Sequence, residues 1–253
     1  MGQNRNDRVA LVTGAGSGIG EAISFHFARE GHAVGLLDVD ADGAARVAET
    51  INREGGRATA LVADITDRAA VKRAVSQLRE AFGPVTVLAN NAAMEGFCPF
   101  MEIDDEAWDR VINVNLKGLY IVTQAVLPDM EAAGWGRIVN IAAYGAQMSQ
   151  PGMSHYYASK GGVITFTRGL AAEVGSKGIT VNSVSPGFID TPMARRAIEG
   201  GKFPVDAADI VSAYPIPRLG KPEEIAAAVA FLASDGASYI TAQLLGVNGG
   251  AVV

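Results

Sequence analysis

Short runs of apolar and β-branched residues alternate along the chain with longer segments whose apolar positions recur at helical spacing. The runs read RVALVTG, HAVGLLD, ATALVAD, VTVLANN, GRIVNIAA, ITVNSVSPG and, near the end, ITAQLLGVNGG. Each is nearly all apolar, as strands are when helices cover both faces of a parallel sheet. Between them Glu21 to Glu30, Ala41 to Glu54, Arg68 to Phe82, Glu106 to Ala133, Tyr156 to Lys177 and Pro222 to Ser234 read as helices. Asp67 is placed to cap the third, Gly134 and Gly178 follow two others, and Pro222 takes a first-turn position. The alternation predicts an α/β fold, doubly wound, on a parallel sheet of about seven strands with helices on both faces. From Thr191 to Lys221 no clear period is found, and Pro192, Pro204, Pro215 and Pro217 interrupt the stretch. It reads as a long loop, and loops of that length in compact domains usually serve function.

Composition narrows the class. The 253 residues are 49% hydrophobic and 19% charged, with no Pro/Ser-rich linker or charge block, so 1–253 reads as a single domain with a sizeable core. Net charge is −6 with scattered basic residues, which leaves no electrostatic footprint for nucleic acid or an anionic membrane surface. A small-molecule partner is expected. The first residues lack the basic and apolar regions of a signal peptide, and no apolar stretch reaches membrane-spanning length, so a cytoplasmic location is expected. Cys98 is the single cysteine, which excludes an internal disulfide and a cysteine-cluster metal site. His26 and His32 stand in unrelated contexts, so no metal is expected.

Candidate chemistry begins at TGAGSGIG, which directly follows the first strand and opens the first helix. Of Gly14, Gly16, Gly18 and Gly20, the first and the last two fit G-x-x-x-G-x-G, whereas Ile19 occupies the place of the third glycine in G-x-G-x-x-G. Glycines allow a tight turn and close approach to a pyrophosphate, and the helix N-terminus offers oriented N–H groups. Asp38 ends the second strand, 18 residues after Gly20, where an acid accepts hydrogen bonds from adenosine ribose hydroxyls. Its charge would repel the 2′-phosphate of NADP, and the glycine loop, with Ser17 before Gly18, holds no cation to counter this. The expectation is a Rossmann-type domain that binds NAD. Asp40, close by, reads as a solvated acid.

The ordered set TGAGSGIG, LVADITD, NNAA, NVN, YYASK and SPGFIDTP resembles the short-chain dehydrogenase/reductase family, including its 3-oxoacyl-ACP reductase-like and secondary-alcohol dehydrogenase members, over nearly the whole chain. The resemblance implies that Asp64 and Ile65 meet the adenine, and that Asn90, Ala92 and Ala93 pack along the cofactor. It also implies that the segment Pro186 to Thr191, with Gly187 and Ile189, holds the nicotinamide. Where the family usually writes NNAG, this chain has Ala93.

Tyr156 and Lys160 form Y-x-x-x-K, and i, i+4 spacing puts both on one helical face. Hydride transfer at a carbinol carbon needs a group that exchanges a proton with the substrate oxygen, and a phenol can do so. Its reference pKa near 10 calls for a nearby positive charge, which Lys160 would supply. By resemblance Lys160 also holds the nicotinamide ribose, and Asn115, 41 residues before Tyr156, holds a water against the lysine. Tyr157 lacks a lysine partner and reads as packing; His155 reads as a loop residue at the rim of the site.

The family places a serine about 13 residues before the tyrosine, where this chain has Ala143. A methyl donates no hydrogen bond, and loss of one such donor is worth roughly 3 to 4 kcal/mol if nothing replaces it. Three accounts stand, in this order: an inactivated or impaired variant, an enzyme that uses another donor, and a cofactor-binding relative without turnover. Tyr144, Ser149 and Ser154 are the nearby hydroxyls.

Substrate contacts are expected from Met94 to Met101, Tyr144 to His155 and the stretch after Thr191. These bring Met94, Phe97, Phe100, Tyr144, Met148, Met153, His155, Met193 and Phe203, a largely apolar set that points to a hydrophobic or cyclic alcohol/ketone pair. Arg195, Arg196 and Lys202 could receive an anionic group or form a solvated face. The helix Glu106 to Ala133 and the apolar terminus resemble the elements that pair subunits in this family, usually as a homotetramer.

Overall fold

The computed structural model describes residues 8–148, 150–200 and 207–252. Seven parallel strands form one sheet: β1 (Val9–Thr13), β2 (Ala33–Asp38), β3 (Arg57–Val62), β4 (Val85–Asn90), β5 (Gly136–Ile141), β6 (Ile179–Pro186) and β7 (Leu244–Val247). Their order is β3-β2-β1-β4-β5-β6-β7, so the direction of winding reverses between β1 and β4. Ligands of doubly wound sheets bind at that reversal, beyond the carboxyl ends of the strands.

Period-2 alternation sorts the strand side chains into two cores. Ala10 and Val12 of β1, with Val34 and Leu36 of β2, face α1 (Gly18–Arg29), α2 (Ala41–Arg53) and α9 (Pro222–Ala233). Val9, Leu11 and Leu37 face α3 (Arg68–Phe82), α5 (Leu119–Ala133) and α6 (Ser154–Val174). Both faces are covered, which is why the strands read as continuous apolar runs rather than alternating ones.

Polar side chains pin the layers where burial alone would not fix their angle. The Asp129 carboxylate of α5 accepts hydrogen bonds from Arg79 Nε of α3 at 2.8 Å and from the Val85 N–H at 2.9 Å, tying two helices to the start of β4. At the amino ends of the strands the Arg8 and Arg137 guanidinium groups lie over the Trp135 ring, 3.9 and 4.3 Å from its centre. Arg8 pairs with Asp235 at 2.7 Å, and Arg137 donates to the carbonyls of Gly136, Gly178 and Ser234.

The predicted end signals Asp67 and Gly134 hold, whereas α6 starts two residues before Tyr156 and gives way to a 3-10 turn at Gly175–Lys177. Asp67 accepts from the N–H groups of Ala69 and Ala70, and Gly134 closes α5 in the left-handed region. Asp40 is exposed, as expected, and also caps α2 by accepting from the Gly43 N–H. The helix predicted over Glu106 to Ala133 is three pieces: α4 (Asp105–Ile112), a π-helical turn (Asn113–Gly118) and α5. α1 begins at Gly18, because the glycines of the loop themselves enter the helix.

The stretch Thr191 to Lys221 is not one long loop. Thr191 caps α7 (Pro192–Glu199) by accepting from the Ala194 N–H, and Pro192 stands at its first position, where a missing N–H loses nothing. α8 (Ala207–Ser212) follows. Prolines that read as breakers mark a helix start here. Lys202, Phe203, Pro204 and Ser149 lie outside the described residues. No helix of the described residues is long and apolar enough to cross a membrane, and none of their His, Cys, Asp and Glu side chains gather in threes as metal ligands would.

The inner face of α3 gives a test of this packing. Leu78 is fully buried, and its two methyl groups fill the space left by the absent side chain of Gly35. Leu78→Ala is expected to lower unfolding free energy by about 2 to 5 kcal/mol, read from urea midpoints. Val62→Thr, on the exposed outer side of β3, is expected to stay within about 0.5 kcal/mol of the parent. Equal effects would contradict this assignment of the core.

Candidate active site

A cavity of about 600 Å³ opens at the winding reversal, between the carboxyl ends of β1 and β4. One end is the glycine loop. Gly14 and Gly18 take positive φ, 64° and 58°, and a Cβ on Gly20 would stand 2.0 Å from the Gly14 carbonyl oxygen. Only glycine fits there, so the loop lies flat against the start of α1. Ser17, the N-cap, makes no side-chain hydrogen bond to the helix, and Ser17, Gly18 and Ile19 line the cavity. A helix start without a side-chain cap leaves N–H groups for an external anion, and this cradle fits a pyrophosphate.

Asp38 lines the same end. Its Oδ2 accepts from the Gly16 N–H at 2.8 Å and its Oδ1 from the Asp40 N–H at 3.0 Å, so the carboxylate is fixed toward the cavity by backbone donors. Asp64 and Ile65 line the cavity beside it; Asp64 accepts from the backbone and hydroxyl of Thr66, and Ile65 packs on Gly118 of the π-helical turn. Farther along are Ala92, Ala93, Pro186, Gly187, Ile189 and Thr191. These residues fit the dinucleotide expected from the sequence.

Three residues that hold this end were missed. Asn91, not Asn90, reaches the loop: its Nδ2 donates to the carbonyls of Thr13 and Gly14, both at 3.1 Å. Thr13 Oγ1 accepts in return from the N–H groups of Asn91 and Ala92. Asn90 is buried within the sheet, donating to Thr123 and Asn140, and does not line the cavity. Two adjacent asparagines at a strand end point to opposite faces, and the motif alone does not say which face is which. Arg46 of α2 donates to the Gly16 carbonyl and is held by Glu21. Nothing near it in sequence signals that role.

The other end carries Tyr156 and Lys160 on α6. Lys160 is buried, its Nζ 5.9 Å from the centre of the Tyr156 ring and donating to the Ile141 carbonyl of β5 at 2.9 Å. Burial pushes the ammonium down to about 8. Burial also pushes the Tyr156 phenol above its usual range, aided by Tyr157, Tyr144 and Glu95. Asn115, in the π-helical turn, makes no direct bond to Lys160. Its Oδ1 accepts from the Met94 N–H and its Nδ2 donates to the Met94 carbonyl and to Ser159. It braces the start of the loop after β4. Such turns, with one extra residue per coil, often occur at functional positions.

Ala143 lines the wall at the position expected for the family serine. Of the expected substrate contacts, Met94, Phe97, Tyr144, Met153 and Met193 line the cavity. Phe100 and Met148 do not, and both are exposed. His155 differs most: it is buried within α6 rather than at the rim, and a Cβ on Gly96 would stand 2.4 Å from its Nε2. The imidazole thus fills the space beneath the loop after β4. The Cys98 N–H bonds the Gly152 carbonyl and joins that loop to the one after β5. Arg195 is held by Asp190, whereas Arg196 lines the cavity.

Residues 14–252 match the family model described as enoyl-(acyl carrier protein) reductase. The 3-oxoacyl-[acyl-carrier-protein] reductase of Pseudomonas aeruginosa is 41% identical over 243 residues, which is 96% of each chain. The cis-4-hydroxycyclohexanecarboxylate dehydrogenase of Sinomonas cyclohexanicum is 40% identical over 252 residues, 99% of this chain and 98% of the relative. A solved structure of an actinorhodin polyketide ketoreductase variant with NADPH superposes with a TM-score of 0.93 at 37% identity, covering 98% of both chains. Sequence, sheet order and site geometry agree: the chain belongs to the short-chain dehydrogenase/reductase family of oxidoreductases.

Proposed function

We propose that the protein is an NAD(H)-dependent oxidoreductase that interconverts a secondary alcohol and a ketone on a hydrophobic or cyclic substrate. The observation that carries this reading is the meeting, in one cavity, of the Tyr156 and Lys160 pair with the uncapped start of α1 and with Asp38. The bound cofactor supplies or receives the hydride. Gly14, Ser17, Gly18, Ile19 and Gly20 would hold its pyrophosphate, Asp38 its adenosine ribose, Asp64 and Ile65 its adenine, and Pro186 to Thr191 with Lys160 its nicotinamide end.

Tyr156 exchanges a proton with the substrate oxygen. In the direction of reduction its raised pKa keeps the proton on the phenol until the oxygen becomes basic enough to take it. In the direction of oxidation the phenol must lose that proton, and the Lys160 ammonium opposes the penalty that burial places on the phenolate. At about 8, Lys160 remains mostly charged at neutral pH. Asn115 holds Met94 and the loop after β4 against this pair.

The lining around Met94, Phe97, Met153, Tyr157, Phe188 and Met193 is apolar and adaptable, which supports a hydrophobic or cyclic substrate. The relative that acts on a hydroxycyclohexanecarboxylate supports it too. A second reading, cofactor binding without turnover, is favoured by Ala143 alone. Rate and binding separate the two. Tyr156→Phe is expected to lower kcat by about two to four orders of magnitude while NADH affinity changes less than about threefold. NADH binding with no turnover of any member of a broad alcohol and ketone panel, persisting after Ala143→Ser, would remove the enzyme reading.

Cofactor choice rests on charge. Among the described cavity-lining residues only Lys160 and Arg196 are basic, and Arg46 is engaged by Glu21. A 2′-phosphate beside Asp38 would meet a carboxylate with no cation between them, and like charges so placed cost several kcal/mol. Fluorescence titration is expected to give NADH an affinity at least about tenfold above that of NADPH, with Asp38→Ser narrowing the gap. Tighter NADPH binding, as the cofactor in the ketoreductase structure would suggest, refutes this assignment.

Assembly as a homotetramer is supported by exposed apolar residues on two faces: Trp108 and Tyr120 around α4 and α5, and Phe231, Tyr239 and Leu245 around α9 and β7. Phe231→Glu with Tyr239→Glu is expected to reduce the sedimenting particle from four copies to two. A parent that already sediments as a monomer counts against this proposal.

A further inference from the structure

The wall carries a methyl at Ala143, where the family has a serine, and a phenol on the next residue, Tyr144. Ala143 and Tyr144 both line the cavity, and Tyr144 opens a turn closed by the Ala146 N–H on the Ala143 carbonyl at 3.0 Å. Its ring therefore leaves the chain one residue after the serine position. Gly145 keeps the turn thin: a Cβ there would stand 2.1 Å from the Tyr157 ring, which lies against it. The Tyr157 ring meets the Tyr156 ring edge-on, with centres 5.8 Å apart. Tyr144, Tyr157 and Tyr156 thus form one aromatic wall around the reacting end.

Tyr214 reaches this wall from the segment after α8. Its hydroxyl donates to the Tyr144 hydroxyl at 3.2 Å, and the rings stand at 74° with centres 6.3 Å apart. The Tyr214 backbone is fixed by its N–H on the Val211 carbonyl, and the chain beyond it by the Ile216 N–H on Gly249. A phenol carries one proton. Tyr214 directs its proton at the Tyr144 oxygen, and among the described residues the Tyr144 proton has no acceptor. The other two hydroxyls considered from the sequence do not compete on this evidence: Ser154 is exposed and absent from the cavity wall, and Ser149 is outside the described residues.

We infer that Tyr144 supplies the second hydrogen bond to the substrate oxygen, in place of the family serine, and that Tyr214 is the residue that positions it. This rests on the alcohol/ketone reading above. Tyr144 donates without giving up its proton; proton exchange stays with Tyr156. By accepting from Tyr214, the Tyr144 hydroxyl becomes a stronger donor and loses the freedom to rotate away. Half of the donor unit therefore belongs to the segment after Thr191, so the substrate segment completes the chemistry as well as shaping the cavity.

The test compares Tyr144→Phe and Tyr214→Phe, each with and without Ala143→Ser, by steady-state kinetics with the best ketone of a substrate panel, NADH fluorescence titration and thermal melting. Tyr144→Phe is expected to lower kcat by about a hundredfold, with NADH affinity within about twofold and the melting temperature nearly unchanged. Adding Ala143→Ser is expected to restore at least about tenfold. Tyr214→Phe is expected to lower kcat by about tenfold with little change in KM, and to have no effect once Ala143→Ser is present. A purely structural role for Tyr214 would not vanish in that way.

Three outcomes overturn the inference and leave the alcohol/ketone reading standing. These are a Tyr144→Phe kcat within about twofold of the parent, a Tyr144→Phe loss that Ala143→Ser does not relieve, and an inactive parent that gains turnover from Ala143→Ser alone. If neither the parent nor Ala143→Ser turns over any panel member, the alcohol/ketone reading fails and this inference fails with it.

Discussion

The site depends on a clamp of hydrogen bonds across the winding reversal, between the end of β1 and the residues after β4. Asn91 donates twice to the backbone of Thr13 and Gly14, and Thr13 accepts twice from the backbone of Asn91 and Ala92. At this place two neighbouring strands send their chains to opposite faces, and the ends would otherwise part with unpaired polar groups. The clamp satisfies those groups and sets the height of the glycine loop. Gly20 can then approach the Gly14 carbonyl as no other residue could, and the start of α1 is left open toward the cavity. Arg46 and Asp38 hold Gly16 from its carbonyl and its N–H, so the loop is rigid before any ligand arrives. A preformed cradle loses less freedom on binding than a floppy one.

The fold was legible because burial on both faces writes a strand as an unbroken apolar run, and because Asp67, Gly134 and Pro222 are end signals with local causes. The gathering of the glycine loop and Asp38 at one end of the cavity was legible too, because each follows directly from the end of its own strand. What escaped depended on partners distant in sequence. Choosing Asn91 over Asn90 requires knowing which face of β4 looks at β1. Placing His155 requires knowing that Gly96 leaves room for an imidazole. The π-helical turn at Asn113–Gly118 reads as ordinary helix, because a single widened turn between two helices carries no residue signature of its own. The prolines after Thr191 misled in the opposite sense, since a proline at the first position of a helix carries the same letter as one that ends it.

Burial acts on Tyr156 and Lys160 in opposite senses, and the balance between them shapes the chemistry. The phenol is pushed up and the ammonium pushed down, so enclosure alone drives both groups toward neutrality. A neutral lysine would give the phenolate no support in the direction of oxidation. The carbonyl of Ile141 opposes this at Lys160 by accepting a charge-assisted hydrogen bond, and it comes from the strand that ends just before Ala143. One strand end therefore sets both the lysine and the position where a second donor must stand. Because Lys160 is held by backbone and pairs with no carboxylate among the described residues, its charge remains available to the phenol.

A short hydroxyl and a phenol at the end of β5 differ in more than reach. A serine at the Ala143 position would be held by its own backbone and would be in place whenever β5 is. The Tyr144 hydroxyl stands several bonds from the backbone, and rotation of the side chain could carry it out of the cavity. It is kept there by Tyr157 against Gly145 on one side and by Tyr214 on the other. The first of these belongs to α6 and is as fixed as the proton-exchanging Tyr156. The second arrives with the segment beyond α8, which is anchored near Gly249 at the end of the sheet. Moving the donor from Ala143 to Tyr144 thus transfers part of its placement from the sheet to the substrate segment. The segment that shapes the substrate end of the cavity therefore also helps to hold the donor in place.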